Sequence, residues 1–494
     1  MKSKKQTILE WYRENGEKID APCGGRGTCG KCKVCFKKQT KEATKREKEL
    51  LTAEEIENNI RLACMTEMTN EEPFELVGEL FVSQTKESKK EVSRKHVRKE
   101  EKDSKYGVAI DIGTTTLVMQ LIDLLNGSEL VTLAEINPQR MYGADVMTRI
   151  RCANEGKEKE LQRLVKDALK EMFERLLRQA EIRRELVKKV VIVGNTTMLH
   201  LLLGYSCSGL GVAPFEPVNL QLHRWDGTMC EGGLSKEAEV IVFPGISTFV
   251  GADIVAGIYA CEMDLKEEVQ MLVDVGTNGE MVLGNKDELF VTSTAAGPVF
   301  EGGNISCGMP AVKGCITHLS VGQEQWSYEA LGERLPTGLC GSALIDLLAG
   351  MYKIGIIDEN GTLLDKYFEE GYCINEQFNI RILQSDIREL QMGKAAIRAG
   401  MELLEKRNKP VKIYLAGAFG TEIRLDSATL IGLFSKEAAT HMQIMSNTAL
   451  KGAKKFLIDT AGEDRLRHIV AKAKEVVLAK EADFEELYIS YMQF

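Results

Sequence analysis

Cys23, Cys29 and Cys32 stand in the run CGGRGTCGKC, and Cys64 follows in RLACMT, giving the spacing C-x5-C-x2-C-x31-C. Thiolates bind soft metals, and four of them, from one loop and one returning segment, make the ligand count of a [2Fe–2S] cluster. Gly24, Gly25, Gly27 and Gly30 suit that cofactor, because the loop must wrap closely and leave amides free to donate to cluster sulfides. A zinc site with four cysteine ligands is the alternative, although zinc needs no such wrapping, and Cys35 makes a further ligand-like pair with Cys32. Cys35 stands in the strand-like run KVCF and reads as a core residue, which leaves Cys64 as the fourth ligand. The count of thirteen cysteines is odd and five fall within the first 64 residues, so a disulfide framework is excluded.

A second chemistry lies further along. VAIDIGTTT at 108–116 recurs as LVDVGTNGE at 272–280, each an apolar run followed by Asp, one apolar residue, Gly and Thr. A strand ending this way carries a carboxylate at its C-terminal edge, then a glycine that lets backbone approach an anion, then hydroxyls and amides that donate to phosphate oxygens. Either run alone is an ordinary strand-to-turn corner. Two facing each other would clamp a nucleotide tail, with Mg²⁺ between carboxylates and phosphates. VVIVGN at 190–195 and IYLAGAFG at 413–420 echo each other as strands running into a glycine turn, so the chain holds two versions of one unit.

These residues must be positioned by several cores. At 494 residues, 44% hydrophobic and 28% charged, the chain is long enough for about three domains. Residues 1–82 form one module, with TILEWYRENG as a helix. Residues 83–105 carry nine Lys/Arg and five Asp/Glu with only two valines, and read as a charged linker. Residues 106–265 and 266–494 alternate β-rich runs with helical patterns, including a packing helix around 157–189, which is α/β rhythm. The net charge of −9 excludes general nucleic-acid or anionic-membrane binding. The first residues lack an apolar leader and no run of about 18 apolar residues occurs, so a cytoplasmic protein is expected.

The two Asp-x-Gly-Thr runs with LAGAFG resemble the actin, hexokinase and heat-shock chaperone superfamily of ATPases over residues 106–455. The resemblance implies phosphate contacts at Asp111, Gly113, Thr114 and Thr115 and at Asp274, Gly276, Thr277 and Asn278, and an adenosine turn at Gly417 and Gly420. The N-terminal module resembles ferredoxins of the adrenodoxin-like branch, with almost no chain before its helix for the usual hairpin. The implied fold is α/β: a two-lobed actin/hexokinase-like ATPase with a small N-terminal ferredoxin-like α+β domain. Fused in this order, and with INPQRMYGADVMTRI, VIVGNTTMLHLLLG, AAGPVFEGGNISCGMPA, LCGSALIDLLA and YISYMQF, the chain resembles the reductive activators of corrinoid proteins. That family implies ATP-dependent transfer of one electron from a [2Fe–2S] cluster to Co(II), giving Co(I). The implied cofactors are the cluster, ATP and Mg²⁺. The implied partners are a corrinoid protein of a methyltransferase system and an upstream low-potential electron donor. A homodimer is compatible with it. Asp111 and Asp274 would serve Mg²⁺ and the hydrolytic water, and which of them orients the water is open. Longer members carry a further small domain where this chain has only its linker.

Other features weigh less. Cys307, Cys315 and Cys340 suggest the activators of 2-hydroxyacyl-CoA dehydratases, whose cysteines share a cluster between subunits, but read first as small buried residues. The six histidines form no ligand pair. NPQRMYGADV, with Arg140 and Asp145, reads equally as a salt-bridged loop or as a nucleotide or partner contact. A small-molecule kinase, or an assembling or clamping ATPase, would use the same fold without the four-cysteine loop.

Overall fold

The computed structural model describes residues 6–15, 19–37, 42–68, 73–77, 105–227, 234, 236–322, 326–333, 335–420 and 422–494. The linker expected at 83–105 lies, up to residue 104, outside them.

The first lobe is built on a six-stranded sheet centred on Tyr106–Ile112, whose residues 107–110 are apolar and buried. Thr116–Asp123 and Glu129–Ile136 extend it as an antiparallel meander on one side, while Val187–Gly194 and Glu239–Val242 lie parallel on the other. The second lobe repeats this topology. Gln270–Val275 is central, Gly279–Gly284 and Leu289–Thr294 form the meander, and Lys412–Ala416 and Met442–Ile444 run parallel. The sequence repeat is therefore a repeat of sheets: both Asp-x-Gly-Thr runs end a central strand, and VVIVGN and IYLAGAFG end its parallel neighbour. Ligand-binding turns belong at such carboxyl ends.

Strand alternation joins the lobes. Leu272, Val282 and Val291 face a core continuous with the first lobe, whereas Met271, Val273 and Met281 face a second core under helix Gln384–Glu405. Helices Ala252–Cys261 and Thr448–Ile458 belong to the shared core and pack on each other so closely that a Cβ on Gly452 would stand 2.0 Å from Ala256 O. Helix Glu158–Ala180 covers the first sheet with Leu161, Val165, Ala168, Met172 and Leu176. It stops well short of residue 189: Glu181 turns left-handed at φ 55°, and the apolar run from Val187 pairs with the central strand instead. Strand pairing overrides local helix propensity there.

The N-terminal module has a helix, Ile8–Glu14, opened by a reciprocal Thr7–Glu10 capping box. Strands Ile60–Leu62, Lys33–Phe36 and Phe74–Leu76 form an antiparallel sheet around Ile8, Leu9, Val34, Phe36 and Leu62. Cys35 departs from its expected place. Val34 and Phe36 take the inner face, so alternation turns Cys35 outward, where its thiol lies 3.5 Å from Asn58 O.

Gly452→Ala tests the helix pair directly. Overpacking against a backbone carbonyl costs about 1–3 kcal/mol, so the melting temperature should fall measurably, and an unchanged melt would contradict this contact.

Candidate functional site: a four-cysteine loop seated beside a nucleotide cleft

The cysteine loop is a run of left-handed turns, with φ of +67° at Gly24, +90° at Gly25, +67° at Gly27 and +65° at Gly30. Only glycine adopts such angles without strain, so the glycines follow from the wrap. The four thiols meet as two hydrogen-bonded pairs, Cys23 with Cys29 and Cys32 with Cys64. Hydrogen bonding to Cys29 holds Cys23 down to about 3 and pushes Cys29 up; Cys32 is likewise lowered and Cys64 raised. Backbone amides of Thr28, Cys29 and Gly25 also favour the Cys23 thiolate, and that of Lys31 the Cys29 thiolate. Among the described residues no three His, Cys, Asp or Glu side chains converge on one point as ligands of a single ion. Two sulfur pairs, with backbone amides donating to Cys23 and Cys29, suit the two irons of a [2Fe–2S] cluster.

The two phosphate turns face each other across the lobes. Asp111 ends the central strand of the first lobe and accepts a hydrogen bond from Asn447 Nδ2 at 2.6 Å. Thr114 Oγ1 accepts from Asn195 Nδ2 at 2.9 Å, and Thr115 Oγ1 crosses the cleft to donate to Glu301 Oε2 at 2.7 Å. Gly113 is required by its turn, since a Cβ there would meet Thr116 O at 2.6 Å. Opposite, Asp274 pairs in register with Glu280 across the hairpin that carries Gly276, Thr277 and Asn278. Nothing crowds Gly276: the nearest atoms to its Cβ position are Asn278 O at 3.8 Å and Glu301 Oε1 at 3.9 Å. A side chain there would fill the open cradle between the lobes. Gly417, at φ +90°, lets the 417–420 turn approach the carboxylate, because its Cβ position lies 2.9 Å from Asp274 Oδ1. Gly420 packs instead on Leu415.

Two carboxylates join this site unannounced by the sequence reading. Asp253, at the start of helix Ala252–Cys261, and Glu280 both act electrostatically on Asp274 or are acted on by it. Burial pushes Asp111 and Asp274 up to about 7 and Asp253 up to about 6, and neighbouring carboxylates add to the rise at Asp111 and Asp274. Glu280 moves the same way for the same reasons. Like charges directly opposite in a hairpin are destabilising, so the Asp274–Glu280 pairing was a readable signal for Glu280. Asp253 had none locally, because packing of its helix brings it in.

The remaining candidates stay apart. Cys315 and Cys340 are buried in the second lobe's core as a hydrogen-bonded pair, with Cys307 part-buried against it. Arg140 pairs with Asp20 of the N-terminal module at 3.4 Å, whereas Asp145 caps its own helix. No described helix is long and apolar enough to cross a membrane.

Comparison with known proteins agrees with this geometry. Residues 2–69 match the 2Fe-2S iron-sulfur cluster binding domain, 106–266 the RACo middle region, and 268–494 the C-terminal domain of RACo, the ASKHA domain. The chain is 30% identical to the corrinoid activation enzyme RamQ of Eubacterium limosum, over 79% of this chain and 70% of that one. It is 24% identical to the [Co(II) methylated amine-specific corrinoid protein] reductase of Methanosarcina barkeri, over 79% and 77% respectively. A solved structure titled reductive activator for corrinoid,iron-sulfur protein superposes with a TM-score of 0.70 at 26% identity, covering 99% of this chain and 95% of that one. An iron–sulfur module joined to a two-lobed ATPase fold defines the class. The chain belongs to the family of reductive activators of corrinoid proteins.

Two outcomes follow from the geometry. Cys23→Ser, Cys29→Ser, Cys32→Ser or Cys64→Ser should each abolish or strongly alter the visible spectrum of protein prepared anaerobically with about two irons per chain, and Cys35→Ser should leave it unchanged; one equivalent of zinc without iron would contradict the assignment. The second concerns Asp274. With its folded value near 7 against an ordinary 3.8, the folded state keeps a proton that the unfolded state has lost, so its contribution to stability disappears as pH rises through 7. In thermal melts without nucleotide, Asp274→Asn should therefore gain on the wild type between pH 5 and pH 8, and a pH-independent difference would refute the shift.

Proposed function

We propose that this chain couples ATP hydrolysis to one-electron reduction of a Co(II) corrinoid, held by a methyltransferase-system partner, to Co(I). The observation that carries the reading is the seating of a four-cysteine module directly against the lobe that bears the first phosphate turn. In this reading the cysteine pairs Cys23/Cys29 and Cys32/Cys64 hold a [2Fe–2S] cluster, which supplies single electrons received from an upstream low-potential donor.

In the cleft, Asp111 and Asp274 would hold Mg²⁺ and position the hydrolytic water, while Asp253 and Glu280 would stand by as further carboxylates that a divalent cation would favour in their ionised form. Mg²⁺ would supply charge neutralisation for both carboxylates and phosphates. Thr114, Thr115, Thr277 and Asn278 donate to phosphate oxygens. Gly113 and Gly276 keep those turns tight and open, and the 417–420 turn approaches the nucleotide from the second lobe. For Thr115 to reach a phosphate it must release Glu301, so nucleotide entry competes with a contact that bridges the lobes.

Nucleotide can drive reduction only through differential affinity for two states of the chain and its partner. Lobe closure around ATP meets that requirement. An inter-subunit cluster of the dehydratase-activator kind is disfavoured, because Cys315 and Cys340 are 0% and 6% exposed and offer no subunit face.

Anaerobic cobalt absorbance with excess reductant and a Co(II) corrinoid partner tests the reading. Co(I) should accumulate much faster with Mg-ATP than without, and Asp274→Ala should abolish the difference while keeping the cluster spectrum. Equal rates in all three conditions would defeat it.

A further inference from the structure

The seat of the iron–sulfur module is the segment of residues 137–149, and one side chain ties that segment to the first phosphate turn. Pro22 O accepts from Ala144 N at 2.9 Å, one residue before Cys23. Arg13 donates to Gly24 O at 3.1 Å and to Met141 O at 3.2 Å, with its guanidinium 4.4 Å from the centre of the Tyr142 ring. Gly24 fits because a Cβ there would meet Tyr142 O at 2.7 Å. Beneath this surface lies Arg149, 0% exposed. Its Nε donates to Gly143 O at 2.9 Å, and its Nη2 donates to Thr114 O at 2.6 Å. Asn137 reinforces the link, donating from its backbone to Thr115 O and from Nδ2 to Gly113 O, each at 2.9 Å.

Arg149 is unusual for a buried guanidinium. Its remaining partners are Gln139 Oε1 and Met198 Sδ, and among the described residues no carboxylate hydrogen-bonds to it. Buried charges are ordinarily paired, and here burial lowers its pKa to about 9. A phosphate chain seated on Thr114 and Thr115 would place negative charge beside it, across a single peptide. The same side chain also grips the carbonyl next to the contact that holds Pro22. Thus one guanidinium touches the backbone of the nucleotide turn at one end and the backbone of the module's seat at the other.

We propose that Arg149 is a positioning residue that transmits nucleotide occupancy from the backbone of the first phosphate turn, at Thr114, through Gly143 and Ala144 to the Pro22–Gly24 stretch of the cysteine loop. Nucleotide supplies the counter-charge, the Thr114–Arg149–Gly143 bridge firms, and the cysteine loop is held more rigidly on the first lobe. This deepens the functional reading, since it rests on Thr114 and Thr115 as phosphate ligands. It does not depend on the identity of the electron acceptor.

Hydrogen exchange on the full-length, cluster-loaded protein with Mg²⁺ and a non-hydrolysable ATP analogue tests it. In the wild type, amides of both the 113–116 turn and the 20–30 loop should exchange more slowly with nucleotide, the latter by roughly fivefold or more. Arg149→Lys keeps the charge but not the two-ended fork; nucleotide should still slow exchange at 113–116 and no longer at 20–30. Arg13→Gln, which removes the clamp between Gly24 O and Met141 O that holds the loop on this seat, should sharply reduce the slowing at 20–30 while leaving that at 113–116 and the ATPase rate unchanged, and it decides the matter alone if Arg149→Lys does not fold. A nucleotide-dependent shift of the cluster's reduction potential should vanish in the same variants. Slowing at 113–116 without slowing at 20–30 in the wild type overturns the relay, as does slowing at 20–30 that survives in the variants. No slowing at 113–116 in the wild type overturns it too, and then through the phosphate assignment itself.

Discussion

Burial of carboxylates where the two lobes face each other is the constraint around which the molecule is arranged. Burial raises Asp111 and Asp274 to about 7 and Asp253 to about 6, and raises Glu280 with them, and neighbouring carboxylates on separate elements add to the rise at Asp111, Asp274 and Glu280. No apolar gain is made locally by such a gathering. It persists because the shared core of two sheets and the helix pair Ala252–Cys261 and Thr448–Ile458 fixes the backbones that carry it. Packed interiors switch between discrete arrangements rather than deforming smoothly, which suits the proposed use of nucleotide and cation to select a lobe arrangement by neutralising this charge.

The iron–sulfur module depends on the same framework from outside. Its core is small, and domains of this size have little apolar burial to spare. The contacts of Arg13, Pro22 and Gly24 with residues 141–144 therefore serve two ends, steadying the module and holding its cysteine loop at a fixed place on the first lobe. The close wrap of the cysteine loop and its docking on the first lobe are two constraints on one segment, and the four left-handed glycines let it satisfy both.

Much of this was legible in the sequence where the chemistry is local. The C-x5-C-x2-C run of Cys23, Cys29 and Cys32 and the two Asp-x-Gly-Thr turns are short-range patterns whose local geometry follows from the residues themselves, whereas Cys64 joins the loop after 31 intervening residues. The repeat of the runs at 108–116 and 272–280 proved to be a repeat of sheet topology. What the sequence hid was non-local. Asp253 enters the site through helix packing, and Asn447 reaches Asp111 across 336 residues. Cys35 faces outward against expectation because hydrophobicity does not tell which face of a strand is inward, and the helix from Glu158 is shorter than its pattern suggests because strand pairing ends it. The run NPQRMYGADV at 137–146, which reads equally as a salt-bridged loop or as a contact, is in the structure part of the seat of the N-terminal module.

In the proposed function, nucleotide and the corrinoid partner select the same closed state. Linkage then requires reciprocity: whatever factor a non-hydrolysable ATP analogue adds to partner affinity, the Co(II) partner must add to affinity for the analogue. Titrating each ligand in the absence and the saturating presence of the other, anaerobically with the loaded protein, measures both factors. The two factors should be equal and well above one. A factor of one, with both ligands bound, would contradict it.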